Sequence, residues 1–258
     1  MSGAFYARDG DLLVPSELTR GPWDPSAQHA GPPSALLARA LERCEPREGL
    51  RIGRITVDIL GPVPLEPLTT SAGVVRPGRR VELLEASLSG PEGVLMRANA
   101  WRVAVGDLRT DAGAPPPGPG DGEDRDFFPT GETLGYHTAM DYRFVRGAFL
   151  EAGPAMVWLR MREALVEGEP PSPLERLMVA ADAGNGVSAI LDWRQFLFIN
   201  TELSVHVLRP PEGEWVGLDA VTYIDGAGLA ESTLWDERGR VGRAAQTLLV
   251  RERTIGED

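Results

Sequence analysis

Two parts of this chain resemble each other at a nearly constant separation, and this repeat constrains the fold more than any other feature. Residues 55–62 (ITVDILGP) align with residues 203–210 (LSVHVLRP), which lie 148 positions later. Residues 87–103 align without a gap with residues 234–250, which lie 147 positions later. Two long-range matches in nearly one register indicate an internal duplication. The sequence therefore predicts two similar halves.

The later copy of the first match belongs to a longer stretch, residues 196–209, in which apolar and polar side chains alternate. A period of two is typical of a β-strand with one buried face. Pro210 ends the strand, because proline has no N–H to donate to a neighbouring strand. In this register Thr201 lies on the apolar face, and Asn200 points to the opposite face unless a bulge intervenes.

The composition limits the partners that the chain can have. Its 258 residues are 42% hydrophobic, enough for packed cores, and carry a net charge of −12 with a pI near 4.8. Such an acidic chain is a poor match for nucleic acid or for an anionic membrane surface. No run is long and apolar enough to cross a bilayer, and the first residues lack the apolar core of a signal peptide. With Cys44 as its single cysteine, we expect a cytoplasmic protein without an internal disulfide.

Two helices and a linker organise the rest of the chain. Gly31-Pro32-Pro33 is a good helix entry, since proline is tolerated in a first turn, and an apolar stripe continues to about Cys44. Ser172-Pro173-Leu174-Glu175 is a capping box that starts a second helix, which the glycines within residues 182–186 stop or sharply bend. Residues 110–126 are Pro, Gly and acidic residues with almost no apolar content, which indicates an extended or disordered linker.

Each half then contains one helix and about five strands, and strands and helices do not alternate as a parallel sheet would require. The pattern predicts an α+β fold in which an antiparallel sheet covers a helix, twice over. We expect an N-terminal unit at residues 1–109, the linker at 110–126 and a C-terminal unit at 127–258.

The motifs of several enzyme classes are absent from the sequence. There is no G-x-S-x-G elbow, no glycine-rich dinucleotide loop and no phosphate-binding P-loop. The three histidines, His29, His137 and His206, lie far apart and do not suggest a zinc site or a Ser–His pair. We therefore expect neither a metal nor a cofactor.

A few polar residues stand out because of their surroundings. Asp182 follows five apolar residues and is either a simple turn former or a functional carboxylate. Gln246, which the repeat sets opposite Asn99, shares the apolar face of the last strand. A buried amide costs about 1–3 kcal/mol when unpaired, so it needs either backbone or a ligand as partner. Thr201 is either functional or simply a good strand residue, and Arg209 is either solvated or bound to a ligand phosphate.

Several motifs together carry a family resemblance through their order and spacing. They are Gln28–Leu41 (QHAGPPSALLARAL), Ala180–Gly186 (AADAGNG), Asn200–Pro210 (NTELSVHVLRP), Gly213–Val216 (GEWV) and Gly239–Val250 (GRVGRAAQTLLV). In these stretches the chain resembles the acyl-CoA thioesterase II type of the double-hotdog thioesterase-like superfamily, with Ala30-Gly31 where that family has Gly-Gly after its histidine. The likeness covers nearly the whole chain except the linker. It implies two tandem hotdog folds, each an antiparallel sheet wrapped around a central helix.

The resemblance also implies a site. In that family an Asp, a Thr or Ser, and a Gln orient and activate a water molecule; the Asp carries over to Asp182 and the Gln to Gln246. Asn200 stands where the family has its Thr or Ser, with Thr201 one residue on. Asparagine binds water but cannot relay a proton as a hydroxyl group does. A backbone N–H near a glycine would polarise the thioester carbonyl. The substrate-binding positions implied are His29, Gly31, Gly184 and Arg209.

By this resemblance the chain hydrolyses an acyl-CoA thioester, and its partner is that substrate. Two alternatives stay open. One is a hotdog module that binds acyl-CoA without cleaving it, which the asparagine at position 200 permits. The other is a hotdog enoyl-CoA hydratase, whose chemistry normally pairs a histidine with the Asp, although no histidine lies near Asp182 in sequence. The sheets of separate hotdog chains often join edge to edge or face to face, which allows a homo-oligomer.

Overall fold

The computed structural model describes residues 3–110, 113–129 and 132–253, and within these ranges eleven strands form one large sheet and three form a small one. The strands of the first half are β1 (Ala4–Asp9), β2 (Leu12–Pro15), β3 (Leu50–Ile59), β4 (Thr69–Arg76), β5 (Val81–Gly90) and β6 (Gly93–Ala104). Those of the second half are β7 (Met140–Arg146), β8 (Ala155–Met161), β9 (Ala164–Val166), β10 (Phe196–Asn200), β11 (Glu202–Val207), β12 (Val216–Asp225), β13 (Ala227–Asp236) and β14 (Gly239–Glu252). The α-helices are α1 (Gly31–Arg43), α2 (Pro173–Ala181) and α3 (Gly184–Val187), and single 3-10 turns occur at Glu17–Thr19, Pro119–Asp121 and Tyr136–Thr138.

The two halves join within the large sheet, where β3 of the first half pairs with β11 of the second. Its order is β4-β5-β6-β3-β11-β14-β13-β12-β8-β7, with β10 also paired to β14. These two strands, β3 and β11, are those that carry the first sequence match. Thr56 on β3 faces Ser204 on β11, and these residues are 148 positions apart, so a pseudo-twofold axis passes between them. The predicted α+β architecture with two similar halves is confirmed, whereas the residue bounds of the two units stay a prediction.

The neighbouring strands correct one detail of the repeat. Thr56, which lies at the pseudo-twofold axis, faces Asn99 on β6, and its counterpart Ser204 faces Ala245 on β14. Asn99 therefore corresponds to Ala245, and Gln246 corresponds to Ala100, which is buried as Gln246 is. The prediction that Asn99 lies opposite Gln246 was wrong by one position. The first half consequently has an alanine where the second half has a buried amide.

A β-bulge interrupts the strand that was predicted to run regularly through residues 196–209. Asn200 on β10 faces Leu248, and Ser204 on β11 faces Ala245. Three residues lie between Asn200 and Ser204, but only two lie between Ala245 and Leu248 on β14. One extra residue is therefore inserted between β10 and β11. The bulge turns Asn200 towards the helices and leaves Thr201 exposed. The prediction that Thr201 lies on the buried face was therefore wrong.

The helices form where the local signals predict them. α1 begins at Gly31 with prolines in its first turn and ends at Arg43, and the predicted capping box starts α2. In that box the Ser172 hydroxyl accepts the Glu175 N–H, and the Glu175 carboxylate accepts the Ser172 N–H. A Cβ atom at Gly31 would lie 2.7 Å from the Val179 carbonyl oxygen. Glycine is thus required where the start of α1 meets the end of α2.

The helices and the inner face of the large sheet share one hydrophobic core, which includes residues of both halves. The described part of the predicted linker contains the 3-10 turn at Pro119–Asp121 and lies against the second half. There the Trp158 indole N–H donates to the Pro117 carbonyl at 2.8 Å, and Glu123 pairs with Phe144. Among the described residues, no helix has the length and apolar character needed to cross a bilayer.

Candidate active site

The candidate site is built around Asp182, which caps the C-terminal end of α2. The side chain of this residue is 3% exposed. The C-terminal end of a helix carries a partial negative charge, which disfavours a carboxylate there. A buried carboxylate in this position therefore needs hydrogen-bond donors or a cation from elsewhere in the fold.

Three elements that are distant in sequence supply those partners. The Asn200 side-chain Nδ2, at the end of β10, donates to Asp182 Oδ1 at 2.8 Å. The Gln246 side-chain Nε2, on β14, donates to the same oxygen at 3.2 Å. His29 precedes α1, and its Nδ1 lies 3.0 Å from Asp182 Oδ2. The structure thus brings together four of the residues that the sequence analysis singled out.

Gln246 is fixed on both sides of its amide. Its Nε2 also donates to the Asp182 backbone carbonyl at 3.1 Å, and its Oε1 accepts the Asn185 backbone N–H at 3.1 Å. A Cβ atom at Gly184 would lie 3.1 Å from Gln246 Oε1 and 2.9 Å from the Ser232 hydroxyl oxygen. A glycine at 184 therefore lets the turn between α2 and α3 approach the sheet. The buried amide has partners at all of its polar atoms, as its burial requires.

Asn200 is less constrained. One of its amide hydrogens is directed at Asp182, and the contact from Nδ2 to the Glu202 carbonyl is long at 3.5 Å. Its Oδ1 has no hydrogen-bond partner within residues 3–110, 113–129 and 132–253. This side chain therefore has an acceptor free beside the carboxylate.

The position of His29 is set by an aromatic stack that the sequence did not reveal. Its ring lies 3.7 Å from the Tyr136 ring at an angle of 6°. The Tyr136 hydroxyl donates to the Val179 carbonyl at 2.8 Å, next to the end of α2. Burial, together with the nearby Tyr142 and Asp182, raises the pKa of Tyr136 well above that of a free phenol, so this donor keeps its proton.

His29 Nδ1 has two neighbours that make opposite demands. The Gly31 backbone N–H is directed at Nδ1 from 3.1 Å, which calls for an unprotonated nitrogen. The Asp182 carboxylate, at 3.0 Å from the same atom, calls for an N–H. An ionised carboxylate is the stronger partner, because hydrogen bonds to charged groups are about twice as strong as neutral ones. We therefore assign the proton to Nδ1 while Asp182 is ionised.

Two predicted site residues are not brought into this cluster. Thr201 is exposed, and its hydroxyl donates to the Thr247 carbonyl at 3.3 Å. Arg209 follows Asn200 by nine residues, which corresponds to roughly 30 Å of extended strand. Its guanidinium group donates two hydrogen bonds of 2.5 Å to Asp236 instead. The geometry gives neither residue a contact with Asp182.

The Arg209–Asp236 pair supports the fold at the other end of β11. The Asp236 side chain is fully buried and also accepts the backbone N–H groups of Glu212 and Arg238, both at 2.9 Å. Burial alone would raise the pKa of Asp236, but the donors from Arg209 and the two backbone N–H groups hold it below its usual range.

The structure adds two residues to the site that the sequence did not single out, Tyr136 and Asn185. Tyr136 carried no signal, because its stacking partner His29 lies 107 positions earlier in the chain. Asn185 lies inside the AADAGNG motif, so the motif did mark its position. A cavity of about 280 Å³ is lined by residues such as Phe128, Phe149 and Trp193 and by none of the predicted site residues. In the described part of the chain, no group of three or more His, Cys, Asp or Glu side chains is arranged to hold a metal ion.

Comparison with solved structures identifies the fold class. A protein provisionally described as a thioesterase II from Thermobifida fusca is 18% identical, with a TM-score of 0.70, over 96% of this chain and 95% of that chain. A hot dog fold protein from Alicyclobacillus acidocaldarius has the same identity and TM-score, over 96% of both chains. The acyl-CoA thioesterase II TesB2 from Mycobacterium marinum is 16% identical with a TM-score of 0.64, over 97% of this chain and 95% of that chain. At such identities the likeness shows the fold, which is the predicted tandem hotdog.

The sequence itself identifies the family. Residues 19–103 match the family model of the acyl-CoA thioesterase N-terminal domain, and residues 109–250 match that of the acyl-CoA thioesterase C-terminal domain. The chain therefore belongs to the acyl-CoA thioesterase family and is a thioester hydrolase. The search of curated proteins finds no match.

Proposed function

We propose that this chain hydrolyses acyl-CoA thioesters with a water molecule that Asp182 activates. Membership of the family supplies the reaction class. The observation that carries the proposal for this site is the buried Asp182 carboxylate, which receives hydrogen bonds from Asn200 and Gln246 on the sheet and contacts His29 beside α1. A non-catalytic binding module would have no need to keep a carboxyl group buried at the C-terminal end of a helix, where the helix dipole disfavours it.

The reaction needs little beyond an oriented water and a proton acceptor, because a thioester carbonyl is already electrophilic. Asp182 accepts a proton from the water as the oxygen–carbon bond forms. The tetrahedral intermediate then collapses, the carbon–sulfur bond breaks, and the proton passes from Asp182 to the departing CoA thiolate. The products are a free acid and CoA, and Asp182 returns to its ionised form.

The hydrogen bonds divide the roles of the two amides. Both amide hydrogens of Gln246 point at Asp182, so Gln246 holds the base in place and does not hold the water. Asn200 has a free Oδ1 beside the carboxylate and accepts a hydrogen bond from the water. Since an amide cannot relay a proton, the proton transfer falls to Asp182 alone. With its proton on Nδ1, as assigned above, His29 donates to Asp182 Oδ2, which lies 3.0 Å away, and so orients the carboxylate.

Thiol release from a panel of acyl-CoA esters of increasing chain length tests the proposal. We expect turnover by the wild-type chain, and a loss of about 10²-fold or more in kcat for Gln246→Ala and for Asn200→Ala, typical of removing a group that positions the reacting atoms. The comparison variant is Thr201→Ala, which should stay within about threefold of wild type because its side chain is exposed. Unchanged turnover in both amide variants would contradict the assignment, and a larger loss at Thr201 would reverse the roles of the two neighbours.

The contact between His29 and Asp182 also favours a second candidate, the hydration of an enoyl-CoA thioester. The two residues lie 153 positions apart in the chain, so their pairing could not be expected from sequence spacing, but His29 Nδ1 lies 3.0 Å from Asp182 Oδ2. Hydration removes the conjugated double bond and leaves the thioester intact. With a short enoyl-CoA, loss of the conjugated absorbance without thiol release would select the hydratase, whereas thiol release without that loss selects the hydrolase.

The acyl-CoA substrate is the partner that the family implies. A cytoplasmic location and a homo-oligomer remain predictions from the sequence, and sedimentation of the purified chain tests the second. A single species with the mass of one chain, 27.9 kDa, would exclude the oligomer.

A further inference from the structure

The bulge at Thr201 leaves one backbone donor of β14 without a backbone partner. In a regular antiparallel ladder each inward N–H is paired with a carbonyl of the adjacent strand, and an inserted residue disrupts that pairing. Here the Thr247 carbonyl accepts the Thr201 N–H at 2.9 Å. The Thr247 N–H is not bonded to backbone and instead donates to the side chain of Glu202, to Oε1, at 2.8 Å. A carboxylate thus takes the place of a carbonyl in the ladder.

The second oxygen of the same carboxylate is held from the pseudo-twofold axis. Ser204 Oγ lies 2.9 Å from Glu202 Oε2 and 3.2 Å from Thr56 Oγ1. One hydroxyl hydrogen cannot serve both acceptors, so Thr56 donates to Ser204 when Ser204 donates to the carboxylate. The two residues on the axis therefore fix the rotamer of Glu202, and Glu202 fixes the bulge.

We infer that Glu202 is a positioning residue, which directs Asn200 towards Asp182 by holding the bulge between them. Successive side chains of a strand point to opposite faces, so a strand without the inserted residue would carry Asn200 to the outer face. The carboxylate of Glu202 lies on that outer face and touches neither Asp182 nor the proposed water. The inference rests on the proposed function, since it assigns Asn200 a place in the reaction.

Four variants separate this role from ordinary support of the sheet. Glu202→Ala removes the acceptor of the Thr247 N–H, and we expect kcat to fall on the order of 10–100-fold, as for a catalytic group misplaced by about 1 Å, with little change in KM. Glu202→Gln should remain near wild type, because its amide oxygen accepts from Thr247 and its NH2 donates to the hydroxyl of Ser204. Glu231→Ala is the matched control, a glutamate on the same face with no hydrogen bond or ion pair among the described residues, and it should not change kcat.

The fourth variant combines Glu202→Ala with Asn200→Ala. If Glu202 acts through Asn200, the double variant is no slower than Asn200→Ala alone, whereas independent contributions would multiply. A multiplicative loss, or a Glu202→Ala variant as fast as wild type, overturns the inference. Failure of the proposed function has a different signature, because Asn200→Ala itself would then retain full turnover.

A measurement without turnover decides the inference even if no acyl-CoA is cleaved. The side-chain NH2 of Asn200 gives a pair of signals in a two-dimensional nitrogen–proton NMR spectrum. These signals are assigned by their absence from the spectrum of Asn200→Ala. We expect these signals to shift and their hydrogens to exchange faster in Glu202→Ala, since their bond to Asp182 is lost, and to be unchanged in Glu231→Ala. Signals in Glu202→Ala that coincide with wild type would show that the bulge does not depend on this carboxylate.

Discussion

Replacement of Asp182 by asparagine separates chemistry from structure at this site. The carboxylate accepts from Asn200 and Gln246 at Oδ1 and contacts His29 at Oδ2. An asparagine amide can turn its oxygen to the two amide donors and its NH2 to His29 Nδ1, which then serves as an acceptor with its proton moved to Nε2. Every hydrogen bond of the side chain is preserved, and what is lost is the negative charge.

The structure sets the size of the two expected effects. A positioned general base contributes about 10²–10⁴-fold to a rate, so kcat should fall by that factor, which corresponds to about 2.7–5.5 kcal/mol of transition-state stabilisation. Stability should not fall, because removing a buried charge whose partners remain satisfied is neutral or favourable. We expect a thermal unfolding midpoint equal to that of wild type or a few degrees higher.

Thiol release at saturating acyl-CoA measures the first effect and thermal unfolding the second. The control is Asp219→Asn, which removes a charge that pairs with Arg146 at 2.7 Å on the exposed face of the sheet. It should leave kcat unchanged. Turnover of Asp182→Asn within tenfold of wild type would refute the assignment of Asp182 as the base, and a large drop in the unfolding midpoint would refute the account of its hydrogen bonds.

Three further outcomes are expected. Gly31→Ala places a methyl group 2.7 Å from the Val179 carbonyl; overpacking costs about 1–3 kcal/mol, so the thermal midpoint should fall by several degrees, and an unchanged midpoint would show that α1 can move. Asn200→Thr supplies a hydroxyl beside Asp182 and should keep a kcat well above that of Asn200→Ala; equal rates for the two would mean that no polar group is needed there. The pKa of Asp236 is lowered in the fold, so its stabilisation is present above about pH 4 and is lost as the pH falls below it. Urea unfolding at several pH values between about 2 and 5 gives the free energy of unfolding, which should fall more steeply with falling pH in wild type than in Asp236→Asn. Equal dependence on pH in the two proteins would contradict this.

Features that depend on neighbours along the chain could be predicted from the sequence. The capping box at Ser172 and the prolines after Gly31 determine helix starts by local hydrogen bonding and fixed backbone angles, and both helices begin where expected. The match between residues 55–62 and 203–210 predicted two similar halves, because equivalent strands bury equivalent side chains.

Features that depend on pairing between distant strands could not be predicted in the same way. Alternation placed Thr201 on the buried face, but a single inserted residue reverses that assignment, and nothing near Thr201 in sequence marks the insertion. The acceptor that stabilises the bulge, Glu202, is recognisable only once Thr247 is known to lie opposite. The contact of His29 with Asp182 likewise depends on the packing of α1 against α2, which carries no local signal.

The pairing of β3 with β11 also determines how two fragments would behave if the chain were cut in the segment after residue 109. One fragment would contain β3 and the other β11, and each of these strands would become an edge with unpaired backbone N–H and C=O groups. Apolar side chains such as Val57 and Leu203 lie along these edges. Fragments made separately would then be prone to aggregate, whereas fragments made together can pair again through β3 and β11.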